Sequence, residues 1–171
     1  MAARATNRGR TRKTSNAGFS LIELLVVVAI ILIIAAIAIP NFLRARIAAN
    51  EAAAVENMRT ITTANVIYST TYGIGYAASL AKMGPPPGSG PVSANAAGLI
   101  DDILATGTRT GYIYTYVAGP VSAGGTIDAY TLNGDPLAPG ITGIRHFYTD
   151  ASAVIRFNRT GTAGPTDVPL Q

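Results

Sequence analysis

The chain has 171 residues and a formal net charge of +4; 49% of it is hydrophobic and only 13% charged, about half the usual charged share of a soluble protein. It is too apolar for a disordered chain, and its length fits one domain, or one domain plus a segment outside it. It contains no cysteine and one histidine, His146, which excludes disulfide scaffolds, thiolate zinc sites, cysteine nucleophiles, His-rich metal sites and two-histidine mechanisms.

The charge is unevenly placed. Arg4, Arg8, Arg10, Arg12 and Lys13 lie within residues 1–18, which hold no acid; the remaining eight basic residues face nine acidic ones. The basic balance therefore belongs to a short tail, and no basic stripe is left on the body to bind nucleic acid. Every residue from Leu24 to Ile39 is apolar, and Phe19–Ile39 is interrupted only by Ser20 and Glu23. As a helix, that stretch spans about 32 Å, enough to cross a hydrocarbon core. Retention of Lys and Arg on the cytoplasmic side places residues 1–18 inside and the body outside.

Three readings fit this segment. The first is a secretory signal peptide with Ala36-Ile37-Ala38 as its cleavage site. The second is a simple membrane anchor, and the third is a segment cut between Gly18 and Phe19. Glu23 favours the third. A carboxylate at bilayer depth costs roughly 3 kcal/mol, so such residues are usually paired and functional. Cleavage at Gly18 would create an α-amino group at Phe19, whose charge could meet Glu23 of the same or a neighbouring subunit.

Gly18-Phe19-Ser20-Leu21-Ile22-Glu23, followed by a long apolar run and then Pro40-Asn41-Phe42, resembles the class III signal of type IV pilins and type II secretion pseudopilins. The resemblance covers residues 12–72. It implies that residues 1–18 are a leader removed by a prepilin peptidase, and that the Phe19 amine is methylated. It also implies assembly into a helical filament, with an assembly ATPase and an inner-membrane platform protein as partners. Residues 19–40 would be the membrane and filament-core half of a long helix, and residues 41–72 its amphipathic half. Residues 73–171 would form a globular head. No catalytic role and no cofactor follow. The subunit would sit in the inner membrane by one span and then move into an extracellular pilus or a periplasmic pseudopilus. A single-helix membrane-anchored binding domain is the rival from another class.

Lipid and packed helices are similar apolar solvents, so Leu24–Ile39 can exchange one for the other, with Ala29, Ala35, Ala36 and Ala38 allowing close approach. Pro40 predicts a kink or local melting near Ala36–Pro40. Leu43, Ile47, Ala54, Met58, Ile61, Tyr68 and Tyr72 then recur on one helical face, leaving Arg44, Arg46, Glu51, Glu56 and Arg59 mainly elsewhere. The whole is one helix of about 54 residues, roughly 80 Å long. Gly73-Ile74-Gly75 ends it, and the stretch to Pro91 reads as irregular.

Asn95 is placed to cap a short helix over 96–105, with Asp101 and Asp102 on its wet side and Gly107 as its stop. Strands are predicted at 112–118, 126–132, 144–148 and 153–157, with turns at Asn133-Gly134-Asp135-Pro136, Pro139-Gly140 and Thr149–Ser152. Tyr112, Tyr114 and Tyr116 share one face. The expected class is therefore α+β, a long amino-terminal helix packed on a small antiparallel sheet.

Many type IV pilins staple their carboxy terminus with a disulfide; here backbone hydrogen bonds, packing of Val168 and Leu170, or a cation must fasten residues 158–171. Calcium is the pseudopilin solution. Asp128, Asp135, Asp150 and Asp167 are scattered, and turn aspartates are their simpler reading. His146 reads as a surface or edge residue, and Asn158-Arg159-Thr160 as a weak glycosylation match.

Overall fold

The computed structural model describes residues 18–88 and 90–170; the basic residues of the expected leader lie outside them. The chain divides between Pro40 and Asn41 into two compact units. Helix α1, Leu21–Tyr72, runs through that boundary.

In the first unit the helix is apolar on every side. Its large side chains from Leu24 to Ile39 are 46–64% exposed. A helix greasy all round belongs in a membrane or in a core made by other chains. It is long and apolar enough to cross a membrane by length and composition. Helical structure continues through Pro40, so the melting expected there does not appear as a break.

In the second unit, α1 supplies a buried face of Ala54, Val55, Met58, Ile61, Ala64 and Tyr68, with Tyr72 packed at its margin. That is the expected stripe, except that Leu43 is exposed and Glu51 is buried. The face packs on a six-stranded antiparallel sheet in the order β1 (Thr108–Arg109), β2 (Tyr112–Ala118), β3 (Tyr130–Pro136), β4 (His146–Asp150), β5 (Arg156–Asn158) and β6 (Val168–Pro169). The expected α+β architecture is the observed one. Two one-turn helices, α2 (Leu80–Met83) and α3 (Asp102–Ala105), close one side of the core.

Several local expectations are corrected. Asn133-Gly134-Asp135-Pro136 is not a turn; it is the second half of β3, paired with Thr115, Tyr114, Ile113 and Tyr112. Alternation explains this. Tyr130, Leu132, Gly134 and Pro136 are buried while the residues between them are half-exposed. Gly134 lets α1 come close, since a Cβ there would lie 3.1 Å from Met58 Sδ. Residues 126–129 precede the strand.

The short helix starts at Asp101, whose carboxylate accepts from Leu104 N–H at 2.9 Å. Asp101 is thus a cap, and Asn95 instead accepts from Lys82 Nζ at 2.7 Å. The α2 turn lies in a stretch expected to be irregular. The last hairpin forms with shifted bounds, pairing Tyr148 with Arg156. Tyr112 and Tyr114 are buried and Tyr116 packs on the core, as their alternation requires.

The carboxy terminus is fastened by main-chain pairing and by the side chains of Asn133, Arg156, Asn158 and Asp167. β6 pairs with β5, and Leu170 N–H donates to Ile155 O at 2.8 Å. Asp167 accepts from Asn158 Nδ2 at 3.0 Å and Gly164 N–H at 2.8 Å. Leu170 packs on the core but Val168 is exposed.

Candidate functional site

Gly18, Phe19 and Ser20 precede the first helical turn in non-helical, exposed backbone. Phe19 is 84% exposed. Among the described residues, a Cβ on Gly18 would meet nothing within 4 Å.

Glu23 sits in the first turn of α1. Its Oε2 accepts from Ser20 N–H at 2.9 Å. This is one half of a capping box, Ser-x-x-Glu, in which the carboxylate also faces the positive end of the helix dipole. The carboxylate thus has a local hydrogen-bond partner in the Ser20 N–H. Phe19, with Ile22, Glu23, Val26 and Val27 of the helix, borders a shallow groove that is apolar but for this one acid.

Sequence reasoning missed the most heavily engaged acid in the second unit. Glu51 is 6% exposed. Its Oε1 accepts from Ile144 N–H at 2.8 Å and Arg145 N–H at 3.0 Å, and its Oε2 from Arg145 Nε at 2.6 Å. Burial, the largest influence, pushes this carboxyl's pKa up. The two backbone N–H groups and the Arg145 guanidinium outweigh it and hold the pKa below the ordinary value. The guanidinium lies 5.6 Å from the Phe147 ring centroid and 5.7 Å from that of Phe157, so its charge is met by a carboxylate and by two π faces.

His146 is neither at a sheet edge nor on the open surface. It opens β4, an inner strand, and its Nδ1 lies 2.6 Å from Asp135 Oδ1. Asp150 caps its own turn through Ser152 N–H at 2.9 Å. Among the described residues no three His, Asp, Glu or Cys side chains converge on one point.

Residues 13–39 match the family model described as the prokaryotic N-terminal methylation motif. The chain carries this motif. It contains Gly18, Phe19 and Glu23 and the whole apolar run, and stops one residue short of Pro40. The chain is also 51% identical, over 49 residues, to the type IV major pilin protein PilA of Myxococcus xanthus (strain DK1622). That alignment covers 29% of this chain and 22% of the relative, so the chain matches about a fifth of the relative's length. Both likenesses are partial, and the relative is a type IV major pilin. No solved structure matches.

Proposed function

We propose that this chain is a prepilin, the membrane-held precursor of a filament subunit. It is cut between Gly18 and Phe19, methylated on the new Phe19 amine, and polymerised through α1. Its role is structural rather than catalytic. The observation that carries this is the pairing of an open, non-helical Gly18–Phe19 bond with an acid at the head of an apolar helix exposed on every side.

In the membrane the span meets lipid, and in a fibre it meets other copies of itself. The exchange costs little because both surroundings are apolar. What must be specified is register, and one charge pair in an apolar setting does this. A Phe19 amine and a Glu23 carboxylate brought together between copies remove each other's desolvation cost, and a subunit displaced by one turn leaves both unpaired. The prepilin peptidase, the assembly ATPase and the inner-membrane platform protein are the partners this role requires. The leader stays cytoplasmic and the head lies on the other side. The name of the relative favours a type IV pilus. A type II secretion pseudopilus is the second reading, favoured by a carboxy terminus fastened without cysteine.

Glu23→Gln tests the charge alone, since glutamine can still accept from Ser20 N–H and preserve the capping box. Processing and membrane insertion should continue. Incorporation into fibres should fall more than tenfold, from a charge-pair coupling of about 2 kcal/mol. Fibres containing the variant at the normal level would remove the pairing role.

A further inference from the structure

The head carries an exposed apolar loop and an uncovered hollow. The loop joins β3 to β4. Residues 137–144 hold no charged side chain, and Leu137, Ile141 and Ile144 are 61%, 70% and 49% exposed. The loop is not slack. Leu137 N–H donates to Gly111 O at 2.9 Å, Gly140 N–H to Gly143 O at 2.8 Å and Thr142 N–H to Ala138 O at 2.9 Å. Thr142 O and Ile144 N–H are tied to Asn50 and Glu51 of α1. Three aliphatic side chains are thus held outward on backbone that is already ordered, so covering them costs little further conformational entropy.

The hollow lies where the sheet stops short. β1 pairs only with Tyr112 and Ile113, and Tyr114 N–H donates to Gly107 O at 2.6 Å. Past that point the edge of β2 has no strand beside it, and such edges are ones that native proteins cover. Beside it is a hollow of about 400 Å³, bordered by Leu80, Ala81, Thr106, Thr108, Ile113 and Thr115. That is the scale of a small-ligand pocket. Among the described residues no charged side chain lines it, and the three aliphatic residues of the β3–β4 loop do not line it in their own chain.

Charge decides where the loop fits. The hollows beside α1 at Thr63 are bordered by Arg59, and one of them also by Glu56. An aliphatic tip there would strip charge of water without pairing it. At the β2 edge it meets only carbon and neutral polar groups. A lipid headgroup layer suits the loop less well, because residues 137–144 include no basic and no aromatic side chain to anchor there. An apolar knob on one part of a molecule and a matching hollow on another make a heterologous contact, which on repetition builds an open polymer.

We infer that the β3–β4 loop of one copy docks in the β2-edge hollow of a second copy, with Ile141 as its anchor. This rests on the reading of the chain as a filament subunit. It gives the heads a directional contact of their own, besides the one made by the apolar helices.

The chain has no cysteine, so introduced pairs report without background. Copies carrying Ile141→Cys and copies carrying Ala81→Cys are assembled together in cells, and the sheared fibres are oxidised with copper phenanthroline. A 141–81 dimer should form about tenfold more than a dimer of Ile141→Cys with Val168→Cys, which lies on the opposite edge of the sheet and is 63% exposed as valine. Either variant alone should give little. Ile141→Asp should leave the melting of the head within about 2 °C of the parent chain, because the side chain is exposed, yet lower fibre yield about tenfold. Adding Ala81→Lys should recover most of that loss. Fibres in which 141 and 81 do not cross-link, or Ile141→Asp fibres at parental yield, overturn the inference. So does Ile141→Cys that is already shielded from a water-soluble maleimide in the unassembled, membrane-held chain, which assigns the loop to lipid. Failure of the filament reading looks different: the parent chain itself forms no fibres, and the docking contact falls with it.

Discussion

Replacing Glu51 with alanine removes one side chain that three donors share. Two are backbone N–H groups of the β3–β4 loop, at 2.8 and 3.0 Å, and the third is Arg145 Nε at 2.6 Å. The variant leaves all three without an acceptor, and water reaches them poorly because the Glu51 side chain is 8% exposed and that of Arg145 29%. Hydrogen bonds to a charged group contribute about 1.5–3 kcal/mol each, and breaking one partner of a buried pair costs about 3–5 kcal/mol in total. Because Arg145 keeps some water and its two aromatic neighbours, the lower end applies, about 3 kcal/mol. For a head of this size that is a fall in Tm of roughly 10 °C, measured by circular dichroism on the full chain in detergent. Glu51→Gln keeps an oxygen for one or both N–H groups and should lose about half as much.

The same contact has a pH signature. The folded-state pKa of Glu51 lies below the ordinary glutamate value. Its contribution is therefore complete above that value and is lost as pH falls through the folded pKa. Asp101, held down mainly by Leu104 N–H, and Asp150, whose partial burial is outweighed by hydrogen bonds from Ser152 and Tyr148, act in the same direction. The acid-side decline should thus become shallower in Glu51→Gln without vanishing. Two variants that melt within 2 °C or so of the parent chain, or an unchanged acid limb in Glu51→Gln, would refute the reasoning.

Two further predictions separate fold from handling. A Cβ at Gly143 would overlap the Tyr112 hydroxyl, which donates to Arg145 O at 2.8 Å inside the core; Gly143→Ala should cost about 1–3 kcal/mol, read from urea denaturation. Gly18→Val, by contrast, adds a side chain in open space; the head should melt as before while the leader stays attached, seen as an unshifted band from membranes.

The parts legible in sequence were those whose signal is local. The run from Leu24 to Ile39 needs no context to be read as a span, and the tyrosines of β2 alternate in plain view. The α1 face from Ala54 to Tyr72 shows its period because helix neighbours lie three or four residues apart. The residues that escaped are governed by distant partners. Asn133-Gly134-Asp135-Pro136 has the composition of a turn, yet it continues β3 because Gly134 fits beneath Met58 and between Tyr114 and Phe147. Its turn propensity is overridden by tertiary packing. Glu51 looks like any surface acid, because its partners are 93 and 94 residues away and two of them are main-chain groups. Asp101 and Asn95 are equally good caps by type, and the choice between them rests on where Arg109 and Leu104 lie. In the first unit, Glu23 is half of a capping box with Ser20 as well as the acid proposed to pair with a neighbouring amine. The Ser20–Glu23 spacing that signals the first was present but less conspicuous than the acid in an apolar run.

The proposed assembly requires a new amino terminus four residues before that acid. The most direct measurement is the intact mass and first residue of the protein recovered from cell-surface fibres. It should begin at Phe19, lack the leader through Gly18, and carry one added methyl group on its α-amine. A polypeptide that still holds Arg4–Lys13, or one that starts beyond Ile39, would contradict it.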